Sequence, residues 1–470
     1  MEFFSTIVGA ISNVMYSYLL IILLLAAGLY FTVRTKCIQF RMFGESVRVI
    51  TEKPSEEGAT SSFQALMVST ASRVGTGNIV GISTAICSGG YGAVFWMWVI
   101  AIIGGASAFI ESTLAQIYKR RDPESGDSYG GPAYYIEAAL KNRALAVVFC
   151  VCLILTYAGG FNMLASYNLQ STFSGYSFYN KNVTPWIIGG VLALIVLYCL
   201  LGGGKRITRV TAVIVPFMGV AYILLSLLIV VMNIGLLPSV LGRIFSEAFD
   251  FKAIFGGFAG SCVMYGIKRG LYSNEAGVGS APNAAASANV SHPAKQGLVQ
   301  MLSVFIDTLL LCTATAFMVL CSGVEPNPDL AGAPYVQAAV QNSLGSIGPV
   351  FITVAMILFA FTTLIGNLYY VDNCLNYIMG KVPSKTFMTV YRVIAAVVIF
   401  IGAGLSIGLV WDLADVLMGF MAIINLPVIV ILGGTALAAL NDYTNQKKEG
   451  KDPVFKASSI GLKEKTDYWK

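Results

Sequence analysis

Eleven stretches of this sequence are apolar for long enough to cross a bilayer, and a soluble fold has nowhere to bury that many. They lie near residues 13–33, 63–88, 92–118, 144–171, 184–201, 208–233, 254–282, 296–321, 346–378, 388–408 and 409–440. One crossing takes about 20 apolar residues. Only 11% of the 470 residues are charged and 56% are hydrophobic, whereas a soluble domain carries about 25% charged residues. Disordered, nucleic-acid-binding and disulfide-rich secreted chains are excluded on that ground. The sequence reads as an all-α polytopic membrane protein, because helices satisfy their own backbone groups where water cannot.

The remaining totals agree. Most cysteines fall inside apolar runs (Cys150, Cys152, Cys199, Cys262, Cys312) without metal-site spacing, and read as small buried hydrophobes. The single histidine, His292, argues against zinc chemistry and histidine acid–base catalysis. Residues 1–13 carry Glu2 and no basic group, so no cleavable signal peptide is expected. No catalytic set, resident cofactor, nucleic-acid partner or required protein partner is expected.

Basic residues set the direction of the spans. With the amino terminus outside, the inner loops hold Arg34, Lys36, Arg41, Arg48 and Lys53, then Lys119, Arg120, Arg121, Lys141 and Arg143. Lys205, Arg206, Arg209, Lys295, Lys381, Lys385 and Arg392 follow, and seven tail lysines bring the inner count to 24 of 30. The outer loops hold Lys181, Arg243 and Lys252. The proline-rich segment 323–345, without a basic residue, reads as an outer loop. Residues 441–470 read as a solvated, lysine-rich cytoplasmic tail beside anionic lipid.

Two spans are poor continuous helices. Ser72-Arg73-Val74-Gly75-Thr76-Gly77-Asn78 interrupts the second, and the run Gly266 to Glu275, with Lys268 and Arg269, interrupts the seventh. Glycine and charge at mid-membrane depth are costly unless that backbone lines a cavity or is buried in protein. Matching breaks in two halves point to a transport site. Here they open two five-span units, 63–233 and 254–440, and an odd number of spans inverts the second unit. The helix restarting at Gly75–Asn78 offers unpaired N–H groups to a carboxylate. The helix ending before each break offers carbonyls to sodium or an ammonium group. Such a pocket suits a zwitterion, and amino acids are the obvious small ones.

Weaker motifs are set aside. Gly75-Thr76-Gly77-Asn78-Ile79-Val80-Gly81 lacks the third spacing and preceding strand of a dinucleotide site. Gly77 and Gly81 also fit simple helix packing, and Gly202-Gly203-Gly204-Lys205 lacks the hydroxyl residue of a phosphate loop. Arg73 lies about 15 Å from the inner end of its span, and a lone charge there calls for a partner, Glu111 or Glu275. That pairing reads equally as an inner gate or a static brace. Asp307, mid-span, reads as structural or coupling. Thr362 and Thr363 either bond back to their own helix or serve a cation.

The string Gly89-Gly90-Tyr91-Gly92-Ala93-Val94-Phe95-Trp96-Met97-Trp98, continuing through Gly104, resembles the signature of the alanine or glycine:cation symporter family. Gly75-Thr76-Gly77-Asn78-Ile79, Lys268-Arg269-Gly270, Ser273 through Pro282, and Gly366-Asn367-Leu368-Tyr369-Tyr370 extend the likeness over about 13–440. The resemblance implies a leucine-transporter-type inverted repeat (5+5) behind one extra amino-terminal helix, and sodium-driven uptake of small neutral amino acids across the cell membrane, here of a prokaryote. It also implies a sodium site from the carbonyls of Ala71, Val74 and Phe359 with the hydroxyls of Thr362 and Thr363. Substrate would meet Gly75, Thr76, Gly77 and Asn78 and the second break at Gly266, walled by the fourth and ninth spans, Thr363 among them.

Two positions depart from the family pattern: Asn367 stands where tryptophan is expected, and Ala165 where glutamine is. Replacing tryptophan by asparagine frees volume and adds an amide, and Asn162 is a second candidate pocket amide. A substrate larger or more polar than alanine, such as glutamine, is expected to fit. The rival reading is a proton-coupled carrier working through Glu111, Glu275 or Asp307.

Overall fold

The computed structural model describes residues 2–54, 56, 58–122, 126–250, 254, 257, 261–381, 383–464 and 466–469. Lys252 and much of the start of the seventh run lie outside the described residues. The described chain is helical, with one antiparallel β pair, Arg120–Arg121 against Ser128–Tyr129. Eight helices are long and apolar enough to cross a membrane: Ser5–Arg34, Gly92–Ile117, Arg143–Ser171, Gly203–Met232, Pro293–Leu320, Ile347–Met379, Lys385–Ala403 and Ile407–Lys448. Thr184–Leu200 is a shorter apolar helix. The two expected spans that do not appear among these are the interrupted ones.

Their outward faces show the solvent they were built for. On Thr184–Leu200 and Gly203–Met232, Leu194, Tyr198, Val213, Phe217 and Leu224 point away from the protein and are more than 60% exposed. A water-soluble chain rarely leaves so continuous an apolar surface. Gly92–Ile117 is buried on nearly every side and packs against Cys262–Asn274, Pro293–Val304 and the amino-terminal helix. That amino-terminal helix also packs along Ile407–Lys448.

Among the described residues, four helical stretches contain a π turn: Met15–Leu19, Gly77–Gly81, Leu155–Gly160 and Phe305–Cys312. Such turns rotate the side chains that follow and recur at functional sites. Two of them lie directly beside Asn162 and around Asp307.

Two expectations change. The outer segment 323–345 is not all loop: Ala333–Leu344 is a helix, and just before it Gly332 is clasped by Ser83. The Ser83 hydroxyl donates to the Gly332 carbonyl at 2.7 Å, and the Gly332 N–H donates to Ser83 Oγ at 2.9 Å. The tail is not solvated either. The last long helix runs to Lys448, and beyond it Phe455 and Trp469 are buried against the loop that holds His292. Two aromatic rings outweigh Lys456 and Lys463 between them, which remain exposed.

His292 caps the helix that starts at Pro293. Its Nδ1 accepts the Ala294 N–H at 3.1 Å, so the ring proton sits on Nε2, 3.1 Å from Asp442 Oδ2. Burial holds this imidazole below the ordinary histidine range, against the opposing pull of Asp442. The unfolded chain therefore binds the proton more readily. The stability this residue contributes is complete above about pH 6.5 and is lost as pH falls below it. Melting temperature in detergent is expected to fall between pH 7.5 and 5.5. The fall should be smaller in His292→Asn, which keeps a capping oxygen without titrating; equal slopes would contradict the assignment.

Candidate functional site between the two broken spans

The first break is built by local chemistry. Ser61 and Gln64 form a reciprocal capping box that starts the helix Ser62–Arg73. That helix stops at Val74, where ψ is 88°, and Gly75 sends its N–H to Asn78 Oδ1 at 2.8 Å. The chain restarts in the π turn Gly77–Gly81 and continues as Ile82–Gly89. Only glycine fits at Gly75, because a Cβ there would collide with Thr363 Oγ1. A Cβ on Gly366 would lie 2.7 Å from the Ser72 nitrogen, so the ninth span also meets this break backbone to backbone.

The second break falls later than the sequence suggests. Ser261 caps a helix that runs unbroken from Cys262 to Asn274. Gly266 lies within it, packed against the Ala93 carbonyl and Trp96 of the third span, and is not brought to the site. Lys268 and Arg269 are ordinary helical residues whose charges are matched from outside the helix. The chain breaks at Glu275, left-handed at φ 53°, and passes Gly277 (φ 84°) and Gly279 (φ 90°) before Pro282 restarts it. Glu111 holds this loop: its carboxylate accepts the Gly277 N–H at 3.2 Å and the Asn425 amide at 2.8 Å. Asn425 also donates to the Gly277 carbonyl and accepts from the Tyr135 hydroxyl.

One polar network joins the breaks. Asn78 turns its amide to Asp307 Oδ1 (2.7 Å) and lies 3.2 Å from Ser273 Oγ on the seventh span. The Ser273 and Thr308 hydroxyls donate to Asp307 Oδ2 at 2.6 and 2.9 Å. Both carboxylate oxygens are thus supplied with donors, the arrangement an ionised carboxylate needs. Thr76 is tied to the fourth span, its hydroxyl accepting from the Asn168 amide at 3.1 Å.

A second set of amides lies beside it. Ser72 donates to Asn367 Oδ1 at 2.7 Å, and Asn367 donates to Asn162 Oδ1 at 3.0 Å. Asn162 Nδ2 is buried with no hydrogen-bond partner. Glu275 accepts from Ser280 at 2.7 Å and lies 3.3 Å from Ser72 Oγ.

The two threonines divide their roles. Thr362 donates back to the Leu358 carbonyl at 2.9 Å, leaving its lone pairs free. Thr363 Oγ1 is buried, faces Gly75 and has no partner. Phe359 supplies a carbonyl 3.2 Å from the Thr362 hydroxyl. Gly75 therefore opposes Thr363, and Ala71 and Ser72 oppose Gly366, across one helix contact.

Arg73 is not paired as expected. Its three guanidinium nitrogens are buried without hydrogen-bond partners, and no ion pair within 4.0 Å reaches Glu111 or Glu275 among the described residues. Glu111 spends its oxygens on the second break instead, and Glu275 on Ser280 and Ser72. Arg73 still acts electrostatically on Glu111, Glu275 and Asp307.

Sequence reasoning missed the opposite charge cluster. Asp415 accepts from the two terminal Arg269 nitrogens at 3.1 and 3.2 Å and from Lys268 at 2.8 Å. Arg269 lies 3.9 Å over the Trp411 ring; Trp411 meets Tyr272 edge-on at 5.0 Å, and Tyr272 meets Phe161 at 4.9 Å. Tyr272 in turn covers Gly77, where a Cβ would lie 2.5 Å from the ring. Two cations inside an apolar run were the available signal, since each required a carboxylate from another span.

Helical spans broken at paired positions around a buried polar site are the architecture a membrane transporter needs. The comparisons with known proteins agree. The model of the sodium:alanine symporter family matches residues 1–457, and the chain belongs to that family. The amino-acid carrier protein AlsT of Bacillus subtilis is 45% identical over 98% of this chain and 97% of its own. The probable sodium/glutamine symporter GlnT of the same organism is 44% identical over 96% of this chain and 92% of its own. Among solved structures, MhsT in complex with L-phenylalanine shares the fold, with a TM-score of 0.56 at 16% identity over 86% of this chain and 92% of that one.

Asp415→Asn leaves two buried cations without a charge partner and is expected to cost about 3–5 kcal/mol. Lys268→Met keeps the Arg269–Asp415 fork and should cost much less. Thermal unfolding of the purified variants checks this; equal losses would contradict the assigned pairing.

Proposed function

We propose that this chain imports small neutral amino acids (alanine, glycine and glutamine) together with sodium, by alternating access to a site between the two breaks. The observation that carries the reading is the Thr363 hydroxyl, buried and unpartnered against Gly75. Sodium takes hard oxygen ligands, and the carbonyls of Ala71, Val74 and Phe359 with the hydroxyls of Thr362 and Thr363 supply them. The substrate carboxylate meets the turn Gly75–Asn78 next to that cation, with Thr76 and Gly77 offering their N–H groups, since those of Gly75 and Asn78 are spent within the turn. Coupling follows because ion and carboxylate share one break.

Asn367 and Asn162 set the side-chain end of the pocket, where the free Nδ2 of Asn162 can donate to a carboxamide oxygen. The name of the GlnT relative supports glutamine as a substrate. Eleven crossings, two inverted units (63–233 and 254–440) behind the helix at 13–33, an outer amino terminus and an inner carboxyl terminus complete the reading. In it, Arg269–Asp415 and the rings of Phe161, Tyr272 and Trp411 close the outer path. Arg73, with Glu111 and Glu275, governs the inner one. The energetics suffice: one charge crossing ~100 mV supplies about 2.3 kcal/mol, and a tenfold sodium gradient about 1.4. Together these sustain a substrate gradient of several hundredfold.

Labelled alanine uptake into proteoliposomes is expected to require inward sodium and to be inhibited by unlabelled glutamine. Uptake that persists without sodium and follows pH would favour proton coupling through Glu111, Glu275 or Asp307. Thr363→Val should raise the half-saturating sodium concentration at least tenfold, the scale of about 1.4 kcal/mol. Asn367→Trp should weaken glutamine competition while sparing alanine; unchanged glutamine inhibition would remove Asn367 from substrate recognition.

A further inference from the structure

The carboxyl-terminal segment grips the parts of the molecule that must separate if the inner side is to open. Asp452 Oδ1 accepts from Lys295 at 3.1 Å. The Pro453 carbonyl accepts from Ser291 Oγ at 2.8 Å, and the Phe455 N–H donates to the Ser291 carbonyl at 2.9 Å. Further along, the Asn289 amide donates to the Tyr468 hydroxyl at 3.0 Å. The Trp469 indole N–H donates to the Gln116 carbonyl at 2.7 Å, and the Phe455 and Trp469 rings meet edge to face at 5.4 Å.

These contacts converge on three inner pieces. The loop 286–292 continues the chain beyond the second break. Its Asn289 N–H donates to the Thr60 carbonyl at 2.9 Å, directly before the helix that leads into the first break. Gln116 and Lys119, at the end of the third span, donate to the Ala288 carbonyl at 3.0 and 2.8 Å. The tail therefore holds the approach to the first break, the exit from the second and the end of the third span in one cluster.

Lys119 ties the cluster together. Its ammonium is fully buried, 3.8 Å from the Tyr468 ring centre and 5.1 Å from that of Trp469, and no carboxylate lies within 4.0 Å among the described residues. Burial holds it well below the ordinary lysine range. The contact is held by ring faces and a carbonyl, so removing the ammonium loosens the cluster.

We propose that residues 452–455 and 466–469 form an intramolecular latch on the cytoplasmic side, which must release before that side opens and so limits transport turnover. This rests on the transport reading and on the inner placement of the tail. The test uses the full chain carrying Tyr468→Ala with Trp469→Ala, and separately Lys119→Met, which removes the cation and keeps the aromatic rings. Two readouts apply to each: amide hydrogen exchange in detergent over 58–73 and 285–295, and sodium-driven turnover in proteoliposomes.

The latch predicts at least tenfold faster exchange in both segments and a several-fold higher turnover, with substrate affinity within a factor of two. A variant that binds substrate normally but shows unchanged exchange, or turnover that is unchanged or lower, overturns it and leaves the tail a static brace. If the double variant does not fold, Lys119→Met decides on the same criteria. Wild-type protein without sodium-driven uptake would defeat the transport reading instead, while the exchange readout would still report whether the tail holds the loop.

Discussion

A bilayer offers no hydrogen bonds, so every backbone group freed by a broken helix must be satisfied by protein or cargo. The organisation of this molecule follows from how its two breaks meet that demand. Asn78 serves both breaks at once, accepting the Gly75 N–H and donating to Asp307, which Ser273 of the seventh span also reaches. The second break is held from elsewhere, through Glu111 and Asn425. Among the described residues, the buried polar atoms left without a partner include the Thr363 hydroxyl, one amide nitrogen of Asn162 and the Arg73 guanidinium, along with Asn274 Nδ2 and the Tyr157 and Tyr370 hydroxyls. A buried polar group without a partner is costly, and a site for an ion and a zwitterion is where that cost is recovered.

The two arginines beside the breaks show how differently a buried charge can be used. Arg269 is matched twice, by the carboxylate of Asp415 and by the face of Trp411. Beside it a run of ring contacts, Trp411–Tyr272–Phe161, lies on Gly77. Arg73 has no direct partner and stands within the field of three carboxylates. A paired charge favours one arrangement strongly, whereas an unpaired one is free to choose among several. In the proposed alternating access, that asymmetry would place the rearrangement on the Arg73 side. The buried tail on the Arg73 side belongs to the same picture.

Much of this was legible from residues alone. Apolar length marks the eight long helices, and glycine with charge inside an apolar run marks the first break. At the first break the reading was sharp, because Gly75 and Asn78 are both needed there for reasons a sequence displays. It misplaced the second break by treating Gly266 to Glu275 as irregular. Lys268 and Arg269 look like interruptions, but a helix carries them once Asp415 arrives from another span, and the chain breaks only where Glu275, Gly277 and Gly279 take left-handed backbone angles. Asp415 itself was hidden at the start of an apolar run. The Arg73 partnership failed because the two available carboxylates are consumed holding backbone and hydroxyl groups, a competition set by three-dimensional neighbours. The tail was misread because its two anchoring rings are few among many lysines.

The central claim is that one break binds the cation and the amino acid together, so each must strengthen the other by the same factor. The direct measurement is equilibrium binding of glutamine and of alanine to the purified protein across a sodium titration, with the sodium affinity measured in turn at saturating amino acid. The account predicts equal and reciprocal gains of at least tenfold, with potassium unable to replace sodium. Amino-acid affinity that is independent of sodium, or matched equally by potassium, would contradict it.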